Sequence, residues 1–160
     1  MMIVVSDTSA ISNLLQIDLI DLLHNLYEEI IIPPAVSDEL YQIEGHKSAL
    51  SQINWIKTIH PENQVLVDTL SDDLDKGESE AIALAIELNA EYLIIDEFMG
   101  RHLASEKYHL KIVGVLGVLI QAKKKGLIDN VKTPVSLLRD NGFRLNQTLV
   151  DKVLAALGEE

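Results

Sequence analysis

The sequence predicts an α/β domain built on a mainly parallel sheet. Three observations predict it. Short β-branched apolar runs recur along the chain, amphipathic or Ala-rich helical stretches separate them, and three of the runs stop at an acid or a proline. At 160 residues the chain is expected to form a single domain spanning 1–160, with no repeat, low-complexity segment or linker.

Residues 2–6 read as a buried strand that leaves through Asp7, Thr8 and Ser9. Thr8 or Ser9 is placed to cap a helix running to about Leu15, and 19–26 is a second amphipathic piece. Residues 29–32 form the next strand, stopped by Pro33 and Pro34. Proline donates nothing to a ladder but suits a first helical turn, so 34–43 reads as a helix. A short helix is expected at 47–53 and an edge strand at 55–59; 60–74 is assigned no element. The Ala-rich helix 79–88 follows Asp75, Lys76, Gly77 and Glu78, and Asn89 and Ala90 end it. A buried strand at 92–95 stops at Asp96 and Glu97. A helix at 98–106, a strand at 110–113 and a helix at 115–125 follow, the last closed by Gly126 at its C′ position. Helices at 133–141 and 147–157, joined at Gly142, read as a helical appendage over 131–158.

Composition removes several function classes. There is no cysteine, so disulfides, thiolate metal sites and cysteine nucleophiles are excluded. The five histidines, at positions 24, 46, 60, 102 and 109, show no i, i+4 pairing, so no zinc site is expected on them. No glycine-rich phosphate loop or dinucleotide fingerprint is present, and no nucleotide cofactor is expected. Asp7, Thr8 and Ser9 lack the second acid of an Asp-x-Asp phosphatase, and the acidic pair and late lysine of a receiver are not evident. No apolar run approaches a membrane span. The N-terminus carries no basic region and reads as a strand, not a signal peptide. A cytoplasmic protein without membrane contact is the expectation.

Charge is unevenly placed. The net charge is −12, with 19 acids against 3 bases in residues 1–100 and 9 bases against 3 acids in residues 101–144. That pattern suits an acidic pocket beside an anion-binding flank, or solvated faces of opposite sign.

Ligands of a parallel sheet bind at the carboxyl ends of its strands. Asp7 and Asp96 end two strands, and Glu39 and Glu78 lie at the starts of helices that follow strands or loops at the same edge. Four carboxylates together repel one another unless a cation sits among them, and oxygen-only ligands suit Mg²⁺ or Mn²⁺. Such an ion activates water and stabilises a leaving oxygen, which implies phosphodiester hydrolysis. Each acid also has a structural reading: Asp7 as a helix cap, Glu39 as a solvated helix residue, Glu78 in a capping box with Asp75, Asp96 as the cap of the helix from Phe98. Glu97 reads as solvated.

Four motifs resemble those of a PIN domain, in a VapC-like branch, over nearly the whole chain. They are Val4-Val5-Ser6-Asp7-Thr8-Ser9, the run from Ile32 through Pro33 and Pro34 to Glu39-Leu40, the run Leu74-Asp75-Lys76-Gly77-Glu78 with its Ala-rich helix, and Leu93-Ile94-Ile95-Asp96-Glu97-Phe98-Met99-Gly100-Arg101. Gly142-Phe143-Arg144-Leu145 is similar to the same branch. The resemblance implies a parallel sheet sandwiched between helices. It also implies an acid cluster of Asp7, Glu39, Glu78 and Asp96 that binds Mg²⁺ or Mn²⁺ and catalyses RNA hydrolysis. The family usually has Asp where Glu78 stands and often Thr or Ser where Ile94 stands, which leaves Ser9 as a candidate hydroxyl. The function implied is a metal-dependent endoribonuclease, the toxin of a toxin–antitoxin pair, with RNA and an antitoxin as partners and a homodimeric state. The alternative is a catalytically idle module that binds RNA or a protein. Ser9, Arg101, Lys123, Lys124 and Lys125 are the candidate substrate contacts, with Lys107 and Lys111 in the same basic stretch.

Overall fold

The computed structural model describes residues 2–159; Met1 and Glu160, the ends of the expected 1–160 span, lie outside the described residues. Each apolar run becomes a very short strand: β1 (Val4–Ser6), β2 (Ile30–Ile32), β3 (Ile56–Thr58), β4 (Tyr92–Ile94) and β5 (Ile112–Val113). All pair in parallel, in the order β3-β2-β1-β4-β5. The chain winds outward from β1 through β2 to β3, then returns to the other side of β1 to lay down β4 and β5. The junction of β1 and β4 is therefore the topological switch point, where a crevice opens at the carboxyl edge.

Side-chain alternation shows why strands this short persist. In β1 and β2, Val4, Ile30 and Ile32 face one core while Val5 and Ile31 face another. In and after β4, Ile94 joins the first core and Leu93 and Ile95 the second. Both faces are buried, as a parallel sheet requires. The first core is closed by α1 (Thr8–Gln16), α2 (Asp21–Tyr27), α3 (Pro34–Gln42), α4 (His46–Ser51) and α8 (Val115–Lys124). The second is closed by α5 (Gln64–Leu70) and α6 (Lys76–Glu87), and by Ala104 in the segment after α7 (Phe98–His102). The sheet is thus sandwiched between helical layers. The last two helices, α9 (Lys132–Asp140) and α10 (Gln147–Ala156), place Val135, Leu138 and Val150 in the first core.

Three local differences from the sequence reading have physical causes. Helix α1 is not capped by Thr8 or Ser9 but by Asp7, as in the structural reading of that acid, and its carboxylate accepts the Ala10 N–H at 3.2 Å. Helix α5 fills part of 60–74. It is started by Asn63, whose side chain accepts from the Leu66 N–H at 3.1 Å, and it docks Val67 and Leu70 on the second core. Seven residues are too few to be helical alone, so this helix depends on that docking. The helix expected at 98–106 widens after α7 into a π-helical turn, Leu103–Lys107. Gly126 stands at C′ of α8 with φ +76°, and the N–H groups of Gly126 and Leu127 return to the carbonyls of Lys123 and Ala122. Among the described residues, no helix is long and apolar enough to cross a membrane.

Candidate functional site

The sheet's switch point sets two acids side by side. β1 runs directly into Asp7, whose N–H donates to the Ile94 carbonyl at 2.9 Å, and β4 continues through Ile95 to Asp96. Asp7 is only 3% exposed. Burial pushes its carboxyl up to about 7; the Ala10 N–H opposes this, and the charges of Asp96 and Asp75 add to it. A carboxylate this deep, with acids as its charged neighbours, is in an environment that calls for a cation.

Glu39 comes from α3, which packs on α6. Its Oε2 accepts from the Thr8 hydroxyl at 2.8 Å. Burial holds its carboxyl above the usual range; the Thr8 bond opposes, and Asp75 and Glu80 reinforce. Its other oxygen lies where a Cβ on Gly77 would be, 2.5 Å away, so α6 approaches this closely because residue 77 has no side chain. Asp75 and Glu78 then form a reciprocal capping box: the Glu78 N–H donates to Asp75 at 2.8 Å, and the Asp75 N–H donates to Glu78 at 3.2 Å. Burial pushes the half-buried Glu78 carboxyl up to about 8, with the charges of Asp75 and Glu97 reinforcing the shift.

Asp96 does not cap the helix from Phe98. Its two oxygens take the Val115 N–H, at 3.2 and 3.1 Å, at the start of α8. Glu97, read as solvated, is the cap of α7 and accepts from Met99 at 3.0 Å and Gly100 at 2.6 Å. Burial raises the Asp96 carboxyl, while the Val115 N–H and the Arg101 guanidinium pull it back. Arg101 is anchored by an Nη1 bond to the Ile95 carbonyl at 3.0 Å. A Cβ on Gly114 would lie 2.6 Å from Asp96 Oδ1 and 2.7 Å from Arg101 Nη1. Gly114 has φ −91°, which alanine adopts freely. The backbone of Gly114→Ala is therefore unstrained, but pushing Asp96 and Arg101 off the Val115 N–H and the Ile95 carbonyl is expected to lower its melting temperature by a few degrees without unfolding it. Because it displaces Asp96 and Arg101, it should lower any cleavage activity about 10²-fold, the scale set by ångström-sized misplacement. Thermal melts beside cleavage rates check this.

All of these acids line one open cleft of about 1340 Å³: Asp7, Glu39, Asp75, Glu78, Asp96 and Glu97. Ser9 and Arg101 line it as well, and Ser9 Oγ accepts from Asn13 Nδ2 at 3.2 Å. Asp75 and Glu97 are the cleft acids that the sequence reading did not place there. In the sequence Asp75 was visible as the capping-box partner of Glu78, and Glu97 as a solvated neighbour of Asp96.

The basic stretch lies elsewhere. Lys123 pairs with Glu159 at 2.6 Å and also donates to the Leu157 carbonyl, tying α8 to the end of α10. Lys124 and Lys125 are exposed at the C-terminal end of α8, whereas the cleft receives its N-terminal end. Among the described residues, Lys123, Lys124 and Lys125 do not line the cleft, and neither do Lys107 and Lys111; the side-chain cations that line it are Arg101 and Arg144.

The cleft's side chains are turned to donors of the chain itself: Asp7 to Ala10, Glu39 to Thr8, Glu78 to Asp75 and Asp96 to Val115. Accordingly, among the described residues, no three His, Cys, Asp or Glu side chains converge as a ready-made ion cage. The donor set still fits a hard divalent cation, because it is all oxygen and burial disfavours the carboxylate charges of Asp7, Glu39, Glu78 and Asp96 when no cation offsets them. Asp7, Glu39, Glu78 and Asp96 are the residues that would hold it.

A family model described as a PIN domain matches residues 3–159. No curated protein matches the chain.

Proposed function

The chain belongs to the PIN-domain family, whose fold is generally that of a nuclease, and we propose that it is an Mg²⁺- or Mn²⁺-dependent endoribonuclease. One observation carries the reading: six carboxylates line a single cleft at the switch point, and Asp7 among them is buried beside Asp96. The bound ion would supply acidified water and neutralisation of phosphodiester charge. Asp7 and Asp96 would anchor that ion from rigid strand ends. Glu39 and Glu78 would turn from Thr8 and Asp75 to complete its ligands. Arg101, fixed by the Ile95 carbonyl, would face the phosphate from beside Asp96.

The test is cleavage of RNA with Mg²⁺ or Mn²⁺ and with EDTA. Metal-dependent, EDTA-sensitive cutting supports the reading. The idle-module alternative rests on the capping roles of Asp7, Asp75 and Glu97, which make acids useful here without chemistry. That alternative predicts no cutting under either condition. The proposal extends, through the family resemblance, to a toxin that acts as a homodimer and is neutralised by an antitoxin protein. Sedimentation of the purified chain, and growth arrest on expression, test those extensions.

Salt dependence offers a second check. With Arg101 and Arg144 as the cations lining the cleft, log affinity for single-stranded RNA should fall against log salt with a slope of about −1.4, from roughly 0.7 per neutralised phosphate. Lys124→Gln and Lys125→Gln should leave that slope unchanged.

A further inference from the structure

A cleft lined by six carboxylates repels the phosphates of a strand entering it, so much of its affinity for nucleic acid has to come from uncharged contacts. Both phenylalanines of the chain line this cleft. Phe143 is partly buried against the first core, but Phe98 is 78% exposed. Phe98 opens α7 directly after Glu97, two residues beyond Asp96. Its ring lies nearly parallel to that of His102, with centroids 6.3 Å apart and an interplanar angle of 11°. An exposed phenylalanine at the acidic end, backed by a second flat ring, presents a neutral surface where the cleft's own charge is most hostile to phosphate.

We propose that Phe98, backed by His102, is a stacking platform for an unpaired nucleobase next to the phosphodiester held at the acidic end. The proposal rests on the nuclease reading and adds to it the residue that would hold the unpaired base. A base within a duplex is already stacked and its faces are closed, whereas an unpaired base has a free π-face. Stacking is insensitive to the negative field and tolerant of base identity.

The experiment uses the full chain with a labelled single-stranded oligoribonucleotide, its duplex, and a single strand carrying abasic positions. Binding is read by fluorescence anisotropy and cleavage by KM and kcat with Mn²⁺. Phe98→Ala should weaken single-strand binding and raise KM on the order of tenfold, with kcat within about twofold of wild type. Phe98→Trp should restore both values. The duplex and the abasic strand should bind wild type and Phe98→Ala alike, and melting temperatures should be unchanged.

Wild-type binding and KM in Phe98→Ala would overturn the platform. So would a change in self-association by sedimentation with oligonucleotide binding unaltered, which would make Phe98 a contact between protein chains. Absence of cleavage with the Phe98 dependence of binding intact would refute the nuclease reading and leave the platform standing. Cleavage without that dependence would do the reverse, and no binding of any strand would remove both.

Discussion

Asp96→Asn is expected to lose RNA cleavage by at least about a hundredfold while keeping its fold, because it removes a charged metal ligand from a rigid strand end. The substitution is nearly isosteric. Asparagine retains an oxygen for the Val115 N–H, now received at 3.1 and 3.2 Å, and Arg101 keeps its bond to the Ile95 carbonyl. Burial already disfavours the Asp96 charge. The metal-free variant should therefore melt at or above the wild-type temperature. Cleavage time courses together with thermal melts check both halves. A variant that unfolds, in a protein whose wild type ignores metal, would make Asp96 a structural cap of α8 and nothing more.

The second large effect is on pH dependence. Asp7 is raised from 3.8 to about 7, chiefly by burial, and Glu78 from 4.5 to about 8, also chiefly by burial. Between the unfolded and folded values, the folded protein binds more protons than the unfolded chain, so stability falls as pH rises. The metal-free protein should be most stable near the acid end of that window and lose stability progressively up to about pH 8. Asp7 is nearly fully buried, and a shift of about three units corresponds to at most about 4 kcal/mol. Asp7→Asn keeps a side-chain oxygen for the Ala10 N–H and should flatten the Asp7 share of this dependence. At pH 8 it should be more stable than wild type, and at pH 4 about equal. Denaturant melts across that range decide it. A wild type that gains stability between pH 4 and pH 7 would contradict an Asp7 carboxyl whose charge burial disfavours.

The parallel sheet and the four motif acids were legible in the sequence because their signals are local. β-branched runs ending at Asp7, Pro33 and Asp96 mark strand exits, and helices between the strands make them parallel, but the order β3-β2-β1-β4-β5 comes only from their pairing. The capping box of Asp75 and Glu78 was visible by spacing, and the structure forms it. What the sequence hid depends on distant partners. Lys123 looked like part of a free basic run until the fold brought Glu159 to it, 36 residues away. The structural alternative for Asp96, a cap for the helix that follows it, fails because the sheet turns it toward Val115, 19 residues on, and leaves the capping to Glu97. Buried Ser12 and His46 likewise pair at 2.9 Å between α1 and α4, with nothing local to announce it. Helix α5 was missed because its two buried residues, Val67 and Leu70, span less than one turn of pattern and gain meaning only when docked on the second core.

Thermal unfolding of wild type and Asp96→Asn at pH 7.5, with and without Mn²⁺, tests the acidic cleft most directly, since it reads ion binding without requiring the right RNA. Ligand at about 100 times its dissociation constant adds about 2.7 kcal/mol. For a chain of this length that corresponds to a rise of roughly 5–10 °C in the wild type. That rise is expected for wild type and a much smaller one for Asp96→Asn, with EDTA reversing both. Equal melting temperatures with and without Mn²⁺ in the wild type, or the same rise in both proteins, would contradict a cation held by Asp7, Glu39, Glu78 and Asp96.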